Sequence, residues 1–314
     1  MFDTLNMWKD REAMAGYDPL AIAQYLTKPK KGWSEDDGCF ISGRAGDYKI
    51  YANQRGISIK GSLAKYFLPS NVYTLTRATA QQAIEMLSDQ LHIDVSTATV
   101  TRVDISTVIP TKHKPSAYYS QLGDKPYCPN RVRATDGTLY YQTQQKQLAF
   151  YDKTAEAKAK RAIIPPILTD CNLLRYELRY SHRLQEQLKQ ADPVTAARLT
   201  DQAFYYMLVQ QWKQEFDSIK KIHKNTLVME NIKTVNEAER LFFARLIQQH
   251  GGKAAVDEFM ADIKASNAFG DNKTQYVSNL KSKLNKVLQI PVADDDDIII
   301  EIEKAVANYA NYAR

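Results

Sequence analysis

The sequence predicts an α+β protein, with an antiparallel-sheet domain over residues 1–185 and a helical domain over residues 186–314. Three observations support this fold class. The first part contains short segments rich in β-branched and aromatic residues, bounded by turn residues, as strands are. Beyond about residue 183, apolar residues recur at the spacing of an amphipathic helix. Glycines at 251, 252 and 270 punctuate those helical stretches.

The first elements follow from alternation and from turn residues. Asp47–Tyr51 and Gly56–Lys60 alternate as strands do and flank a turn, so they predict a hairpin. Ala78–Leu91 carries its apolar residues on one helical face. Thr97–Ile109 is rich in Thr, Val and Ile and reads as a strand that Pro110 ends.

The middle of the chain predicts two further strand regions around a short helix. Thr138–Lys153 is rich in aromatic residues and reads as strand, with a turn near Gln144 and Gln145. Thr154–Arg161 favours a helix, which the prolines at 165 and 166 stop. Asn172–Tyr180 returns to a strand pattern.

The last part predicts four helices, at Thr195–Ile222, Val235–Gln249, Ala254–Ala265 and Thr274–Leu288. The arrangement of helices around Gly251-Gly252 resembles a helix-turn-helix reader of DNA, although an ordinary solvated helical face remains the alternative. The acidic run at 294–297 is expected to be a solvated loop or a helix cap rather than a metal site.

Composition favours a soluble cytoplasmic protein. The formal net charge of +6 permits a polyanionic partner without requiring one. The three cysteines show no C-x-x-C spacing, so neither a disulfide framework nor a structural zinc site is expected, and a reducing compartment is the simplest inference. No apolar stretch is long enough for a membrane span, and the N-terminus does not have the pattern of a signal peptide.

Three short strand segments share one pattern, with two polar functional residues at positions i and i+2. They are Arg102-Val103-Asp104, Tyr151-Asp152-Lys153 and Arg175-Tyr176-Glu177. Side chains alternate along a strand, so each such pair faces the same side of the sheet. If the apolar opposite sides pack on one core, the six polar side chains converge on one surface.

These groups suit phosphodiester chemistry. Asp104 and Glu177 could hold Mg²⁺ or Mn²⁺, which prefer oxygen ligands. The Tyr151 hydroxyl could attack phosphorus, with Lys153 or the metal favouring the phenolate. Arg102 and Arg175 could bind phosphate oxygens or orient the carboxylates. Cross-strand ion pairs on a solvated sheet face remain the alternative interpretation.

The sequence also resembles a known family, the replication initiators of filamentous phages (the gene II protein family) and the related Rep_trans-type plasmid initiators. The resemblance covers about residues 1–185, and the segments that carry it occur in the family's order. They are Met1–Leu5, Gly61–Tyr66 through Asn71-Val72, Thr101–Ile105, Leu148–Glu156 and Leu174–Arg179. The resemblance comes from the occurrence of all these segments together in this order.

The resemblance implies a rolling-circle initiator with a Rep-like nicking domain at 1–185. It implies that Tyr151 is the nicking tyrosine, that Lys153 is its neighbour, and that Asp104 and Glu177 are the metal ligands. The implied substrate is an origin, as a hairpin and as a single strand, and the cleaved 5′ end stays on the tyrosine. The free 3′ hydroxyl would serve a host polymerase. Since no nucleotide-binding motif is present, a host helicase would unwind the duplex.

Further basic residues are candidates for DNA binding. Lys65 lies in a Ser-x-x-Lys stretch whose acyl-enzyme interpretation is set aside, because the partner motifs are absent. Lys273 and Lys281 lie in the basic segment 273–286, which could follow phosphates. Other basic clusters occur at 28–31, 112–114 and 220–224. An oligomer is possible.

Alternatives exist both for the function and for the nucleophile. A non-enzymatic origin-binding regulator is the second hypothesis for the whole chain. A conjugative relaxase would need a histidine cluster, and the five histidines contain no H-x-H pair. The rival tyrosines are Tyr118, Tyr119, Tyr140 and Tyr141, whereas Tyr176 should face the core by alternation.

Overall fold

The computed structural model describes residues 1–222, 232–290 and 298–312, and the chain divides into two compact units. The first unit comprises residues 1–222 and those from Glu301 onward. The second contains the helical segment between them. The predicted α+β class is confirmed.

The first unit is built on one antiparallel sheet of ten strands. The strands are β1 (Phe2–Asp10), β2 (Thr27–Ser34), β3 (Gly38–Ala45), β4 (Tyr48–Asn53), β5 (Gly56–Ser62), β6 (Thr99–Thr111), β7 (Asn130–Arg133), β8 (Leu139–Gln142), β9 (Lys146–Asp152) and β10 (Asn172–Tyr180). Their order across the sheet is β2-β3-β4-β5-β1-β6-β10-β9-β8-β7. The central strands β1, β6, β10 and β9 therefore come from distant parts of the chain.

Helices flank this sheet and form the second unit. Those of the first unit are α1 (Leu63–Phe67), α2 (Arg77–Leu91), α3 (Pro115–Tyr119), α4 (Lys153–Ala159), α5 (Leu184–Gln187), α6 (Ala196–Thr200) and α7 (Gln202–Asp217). The last helix, α11 (Ile298–Tyr312), belongs to it from Glu301 onward. The second unit contains α8 (Val235–Gln249), α9 (Lys253–Ala265) and α10 (Lys273–Leu288).

Most predicted elements occur where the sequence placed them. The hairpin of β4 and β5 pairs Asn53 with Gly56, and the Asn53 side-chain oxygen accepts hydrogen bonds from the Arg55 and Gly56 backbone N–H groups. A second hairpin joins β8 to β9 across the predicted turn. The acidic run at 294–297 and the end of the basic cluster at 220–224 lie outside the described residues.

Pro110 does not end its strand as the sequence suggested. It lies within β6 and pairs in register with Leu173 of β10. The neighbour on the other side, β1, pairs with β6 no further than Phe2 with Ile105. At Pro110 the strand is therefore an edge, where a missing backbone N–H is tolerated.

The helix predicted over Thr195–Ile222 is two helices. Asp201 is extended and separates α6 from α7, and its side chain accepts a hydrogen bond of 2.9 Å from the Phe204 N–H. An aspartate at this N-cap position satisfies one of the free N–H groups at the helix start. The apolar stripe continues through the break, which explains why periodicity alone did not locate it.

Helix α7 packs on one face of the sheet and forms an aromatic core there. Phe150 and Tyr176 stack with ring centroids 4.6 Å apart, and Trp212 lies 4.9 Å from Tyr176. The Tyr176 hydroxyl donates to the Trp212 carbonyl at 2.9 Å. The first compact unit thus extends to Ile222, beyond the change in character at residue 185, because α7 buries its aromatic residues against the sheet.

In the second unit α8, α9 and α10 pack on one another, with Val256 and Met260 among the buried side chains. All three helices match their predicted positions to within one residue. No helix among the described residues is long and apolar enough to cross a membrane.

Candidate active site

The three strand segments with paired polar residues lie on one face of the sheet, opposite the aromatic core. Register pairs Arg175 of β10 with Tyr151 of β9, and it pairs Arg179 of β10 with Asp104 of β6. The residues that alternate with them, Val103, Phe150 and Tyr176, are fully buried on the other face. Strand alternation therefore brings five of the six predicted side chains to one face, and Lys153 follows directly after the end of β9.

Glu177 is the centre of the cluster and has three partners. Its Oε1 accepts a hydrogen bond of 2.7 Å from the Tyr151 hydroxyl and lies 2.7 Å from Nε of Arg175. Its Oε2 lies 2.6 Å from a guanidinium nitrogen of Arg179. Burial alone would raise the pKa of Glu177, but Arg175 and Arg179 outweigh burial and lower it to about 2. The carboxylate is therefore charged at neutral pH.

Arg175 connects four segments of the chain. Its guanidinium lies 2.7 Å from Oδ2 of Asp3 on β1, donates to the Asn71 carbonyl, and donates to the Ser106 hydroxyl at 2.7 Å. Its contact with Glu177 is an ion pair without a well-aligned hydrogen bond, since the Nε–H has no acceptor in line. Burial alone would lower the pKa of Arg175, but the surrounding carboxylates outweigh burial and raise it above its usual range.

Asp104 is held by one arginine. Both of its oxygens accept hydrogen bonds from Arg102, at 2.9 and 2.7 Å, in a bidentate pair. Burial raises the pKa of Asp104, Arg102 opposes this, and the nearby charge of Glu177 adds to the rise. Arg102 keeps 34% of its side chain exposed whereas Asp104 keeps 3%, so the arginine covers the carboxylate from the solvent side.

Tyr151 is half-buried at the end of β9, with its hydroxyl directed at Glu177. Burial raises the pKa of Tyr151 far above its usual range, Arg175 lowers it in part, and Glu177 raises it further. Arg175 is thus the cation that most favours the phenolate here, a role for which the sequence suggested Lys153 or a metal. In this state the phenol is protonated and fixed in orientation.

Lys153 is the first residue of α4 rather than the last of a strand, because Asp152 caps that helix by accepting from the Ala155 N–H at 2.8 Å. Its ammonium group is buried and donates to Asn71 Oδ1 at 2.8 Å and to Glu156 at 2.6 Å. Burial and the nearby Arg175 lower the pKa of Lys153. It reaches the cluster through Asn71.

The two predicted metal ligands fit a divalent cation in part. Asp104 and Glu177 are close enough for one charge to raise the pKa of the other. Mg²⁺ in phosphoryl sites commonly takes one or two carboxylates and completes its shell with water and substrate phosphate. Against this, both carboxylates are paired with arginines, and within the described ranges no group of three His, Cys, Asp or Glu could hold a metal. A metal cation would therefore have to displace an arginine from one of the carboxylates. Arg102 is more exposed than Arg175 or Arg179 and is the easiest of them to displace.

The other predicted DNA-binding lysines belong to other elements. Lys65 is half-buried on α1, whose start is capped by the Ser62 hydroxyl. Lys273 and Lys281 belong to α10 in the second unit. The Lys273 ammonium group donates to the carbonyls of Lys264 and Ser266 at the end of α9, and Lys281 is exposed.

Several residues of the cluster were not predicted as site residues. They are Asp3, Asn71, Glu156 and Arg179. Arg179 could have been found, because it lies two residues after Glu177 and so shares its face by alternation. Asp3 and Asn71 carry no such signal, since only the sheet order brings β1 and the loop before α2 beside β10.

Three of the rival tyrosines either have other hydrogen-bond partners or are buried. The Tyr118 hydroxyl donates to Glu301, and the Tyr141 hydroxyl donates to the Gly123 carbonyl at 2.7 Å. Tyr119 is buried. Tyr140 pairs with Ala149 on the same face as Glu177 and lies under the guanidinium of Arg179, 5.9 Å from its ring centroid. It is the remaining rival.

Comparison with known families gives one match. A family model described as the N-terminal part of a phage replication-associated protein, the gene II protein, matches residues 23–215, more than half of the chain. The matched region contains β2 to β10, α1 to α6 and all of α7 except its last two residues. A search of curated proteins finds no similar sequence.

Proposed function

Because the chain belongs to the filamentous-phage gene II family of replication-associated proteins, we propose that it starts rolling-circle replication by nicking one DNA strand through Tyr151. The observation that carries the proposal is the hydrogen bond of 2.7 Å from the Tyr151 hydroxyl to Glu177. This pair lies within a cluster of arginines that could bind a phosphate. The family match supports the replication role, and the chemistry of the site supports the nicking step.

In the proposed step the phenol oxygen of Tyr151 attacks phosphorus and the bond from phosphorus to the 3′ oxygen breaks. A 5′-phosphotyrosine forms, and the 3′ oxygen takes up a proton from water as it leaves, so that it becomes a hydroxyl. The phenol proton passes to Glu177, its acceptor in the resting site. Since the pKa of Glu177 is low while Arg175 and Arg179 hold it, proton transfer is favoured when a DNA phosphate draws one arginine away. Attack by a 3′ hydroxyl on the phosphotyrosine reverses the step and rejoins the strand.

The chain's own residues would hold Mg²⁺ or Mn²⁺ between Asp104 and Glu177, with Arg102 displaced toward phosphate. When bound, such a cation would offset charge on the phosphodiester. Arg175 would keep Glu177 and Asp3 in place, and Lys153 would keep the Asn71 segment against the sheet. The Asn71 carbonyl accepts a hydrogen bond from Arg175, and its side-chain oxygen accepts one from Lys153. Both side chains therefore fix the same loop.

The partners proposed with this function are origin DNA, as a hairpin and as a single strand, and a host helicase and polymerase. The family match supports a role in replication, and DNA is the substrate that such a role requires. A cytoplasmic location agrees with the cysteine pattern.

The test uses a supercoiled origin plasmid with Mg²⁺. Wild type should produce nicked DNA with covalently attached protein, whereas Tyr151→Phe should produce neither. Tyr140→Phe is the matched control and should retain both products, because Tyr140 shares the face but has no carboxylate partner among the described residues. Mass spectrometry of the adduct locates the modified tyrosine. An adduct on any residue other than Tyr151 would contradict the assignment.

A non-enzymatic origin-binding regulator is the second candidate, and one observation favours it: both predicted metal ligands are neutralised by arginines. It predicts origin binding that is unchanged by Asp104→Ala, without any cutting in Mg²⁺. Cutting that stops on chelation and in Asp104→Asn would exclude it.

A further inference from the structure

Cationic side chains line up across the strands beside the candidate active site. Register pairs Arg44 of β3 with Lys49 of β4, and it pairs Lys49 with Lys60 of β5. We call Arg44, Lys49 and Lys60 the cation row. The line continues from Lys60 to Asn6 of β1 and from Asn6 to Arg102 of β6. Directly paired residues share a face, so the row leads to the arginine that covers Asp104.

The row has a composition that folding alone does not explain. Arg44, Lys49 and Lys60 are exposed, and like charges directly opposite one another destabilise a sheet. In the part of the chain that the structure describes, neither Lys49 nor Lys60 has an ion-pair or hydrogen-bond partner. Arg44 donates to the backbone carbonyls of Gly46 and Asp47, and to no carboxylate of the described ranges. The charges are therefore available to an external anion.

Aromatic side chains lie in the next line across the same face. Register pairs Tyr51 with Ser58 and Ser58 with Trp8, and all three line a cleft of about 1340 Å³ that also contains the row. Phe40 stacks on Tyr51 with ring centroids 5.2 Å apart. A groove with cations for phosphates and aromatic faces for bases is the surface that single-stranded DNA-binding proteins use.

Two acidic residues line this cleft, Asp10 and Asp37, and among the described residues neither forms an ion pair with the row. Asp37 accepts hydrogen bonds from the Tyr51 hydroxyl at 2.7 Å and from Asn53 at 2.8 Å, and it pairs with Arg55. The hydrogen bond from Tyr51 and the charge of Arg55 outweigh desolvation and lower the pKa of Asp37. Arg55 thus balances this carboxylate, and the row retains its positive charge.

The geometry points to a binding site for the single DNA strand that flanks the cleaved phosphate, with the cation row on its phosphates and Trp8 and Tyr51 against its bases. This inference rests on the proposed function for the position of the cleaved phosphate. From β5 to β9 there are four strand spacings, about 20 Å across the sheet. Val108, which is in line with Tyr151 through Arg175, lies six residues beyond Arg102 along β6, about another 20 Å. The row therefore meets the strand several nucleotides from the bond that Tyr151 cleaves. Because β5 lies on one side of β9, only one flank of the cleaved bond reaches it.

The experiment measures binding of fluorescent single-stranded oligonucleotides by anisotropy at several salt concentrations, with full-length protein. One oligonucleotide ends three nucleotides from the cleavage site on both sides, and two others are extended by ten nucleotides on one side each. The variants are Lys49→Gln/Lys60→Gln and the matched control Lys31→Gln. Lys31 is an exposed lysine of the same sheet whose register partner, Ile41, belongs to the buried face. Circular dichroism checks that each variant is folded.

One extension, and not the other, should strengthen binding to wild type and steepen its salt dependence. In the double variant the slope of log K against log salt should decrease by about 1.4, at about 0.7 for each phosphate contact on a single strand. Lys31→Gln should behave as wild type. A double variant with the wild-type slope, or an equal loss in Lys31→Gln, would overturn the inference.

The covalent-adduct assay separates this inference from the proposed function. If the adduct on Tyr151 forms but the double variant and wild type have equal salt slopes, the proposed binding site is wrong and the proposed nicking is supported. If no adduct forms and the double variant still has the lower slope, the binding site stands and nicking is wrong.

Discussion

At the scale of single residues, the site is a balanced set of charges that leaves few contacts unsatisfied. Three carboxylates and three guanidinium groups meet on one face of the sheet, at Asp3, Asp104 and Glu177 and at Arg102, Arg175 and Arg179. Most of them are almost fully buried. Removing one member leaves an opposite charge without a partner in a poorly hydrated place, which costs far more than losing an exposed pair.

Glu177→Gln should therefore lower the free energy of unfolding by about 3–5 kcal/mol. The control is Glu186→Gln, whose ion pair with Arg183 is exposed and should contribute at most about 1 kcal/mol. Urea denaturation monitored by circular dichroism measures both. Equal losses in the two variants would contradict the importance of the buried cluster.

The same carboxylate predicts a pH dependence. The pKa of Glu177 falls from an ordinary 4.5 to about 2 in the folded protein. A lowered pKa gives stability that is complete above the unfolded value and is lost as pH falls through the folded one. Wild type should thus lose stability between pH 4.5 and 2, and Glu177→Gln should lose less over that window. A parallel decrease in both proteins would assign the acid sensitivity to other groups.

At the scale of elements, sequence periodicity predicted the strands and helices and the face on which each side chain lies. It did not predict which strands are neighbours, because the order of the sheet leaves no periodic pattern in the sequence. The strand β10 and the face of Tyr151 followed from alternation alone. The edge strand β2 was visible only as a basic cluster, since its residues are mostly exposed and include Pro29, a composition typical of protected edges. The partnership of Asp3 with Arg175 depends on β1 entering the middle of the sheet, and nothing local to either residue predicts it.

The cation row makes a prediction about its own strands. Lys49→Gln should increase the free energy of unfolding at low salt by up to about 1 kcal/mol, because it removes repulsion from both cross-strand neighbours. The gain should disappear at high salt, where exposed charges are screened. Thermal melts at low and high salt measure it, and Lys31→Gln provides the control. A loss of stability at low salt would show that Lys49 has a structural role.

At the scale of the whole molecule, charge is divided between two places on one face of the sheet. The buried cluster is close to neutral, whereas the row beside it is positive, in a chain whose formal net charge is only +6. On the proposed function, attraction for DNA and chemistry on DNA would belong to different residues. DNA binding and the chemical step should therefore respond differently to salt.

Raising monovalent salt from about 50 to about 200 mM should increase KM for a single-stranded substrate by roughly 20-fold if Arg44, Lys49 and Lys60 each contact one phosphate. The value of kcat should change little, because the buried charges are screened much less. Steady-state nicking of a fluorescent oligonucleotide measures both constants. A kcat that falls in step with the rise of KM would contradict this division.

The balance within the buried cluster also limits how such a chain can diverge. An exchange at Asp104 without one at Arg102 leaves a buried charge alone, whereas Arg102→Gln together with Asp104→Asn keeps two neutral groups able to bond to each other. Substitutions here are thus expected to be inherited as compensating pairs. Among descendants of this sequence, residues 102 and 104 should covary, whether or not the site cuts DNA.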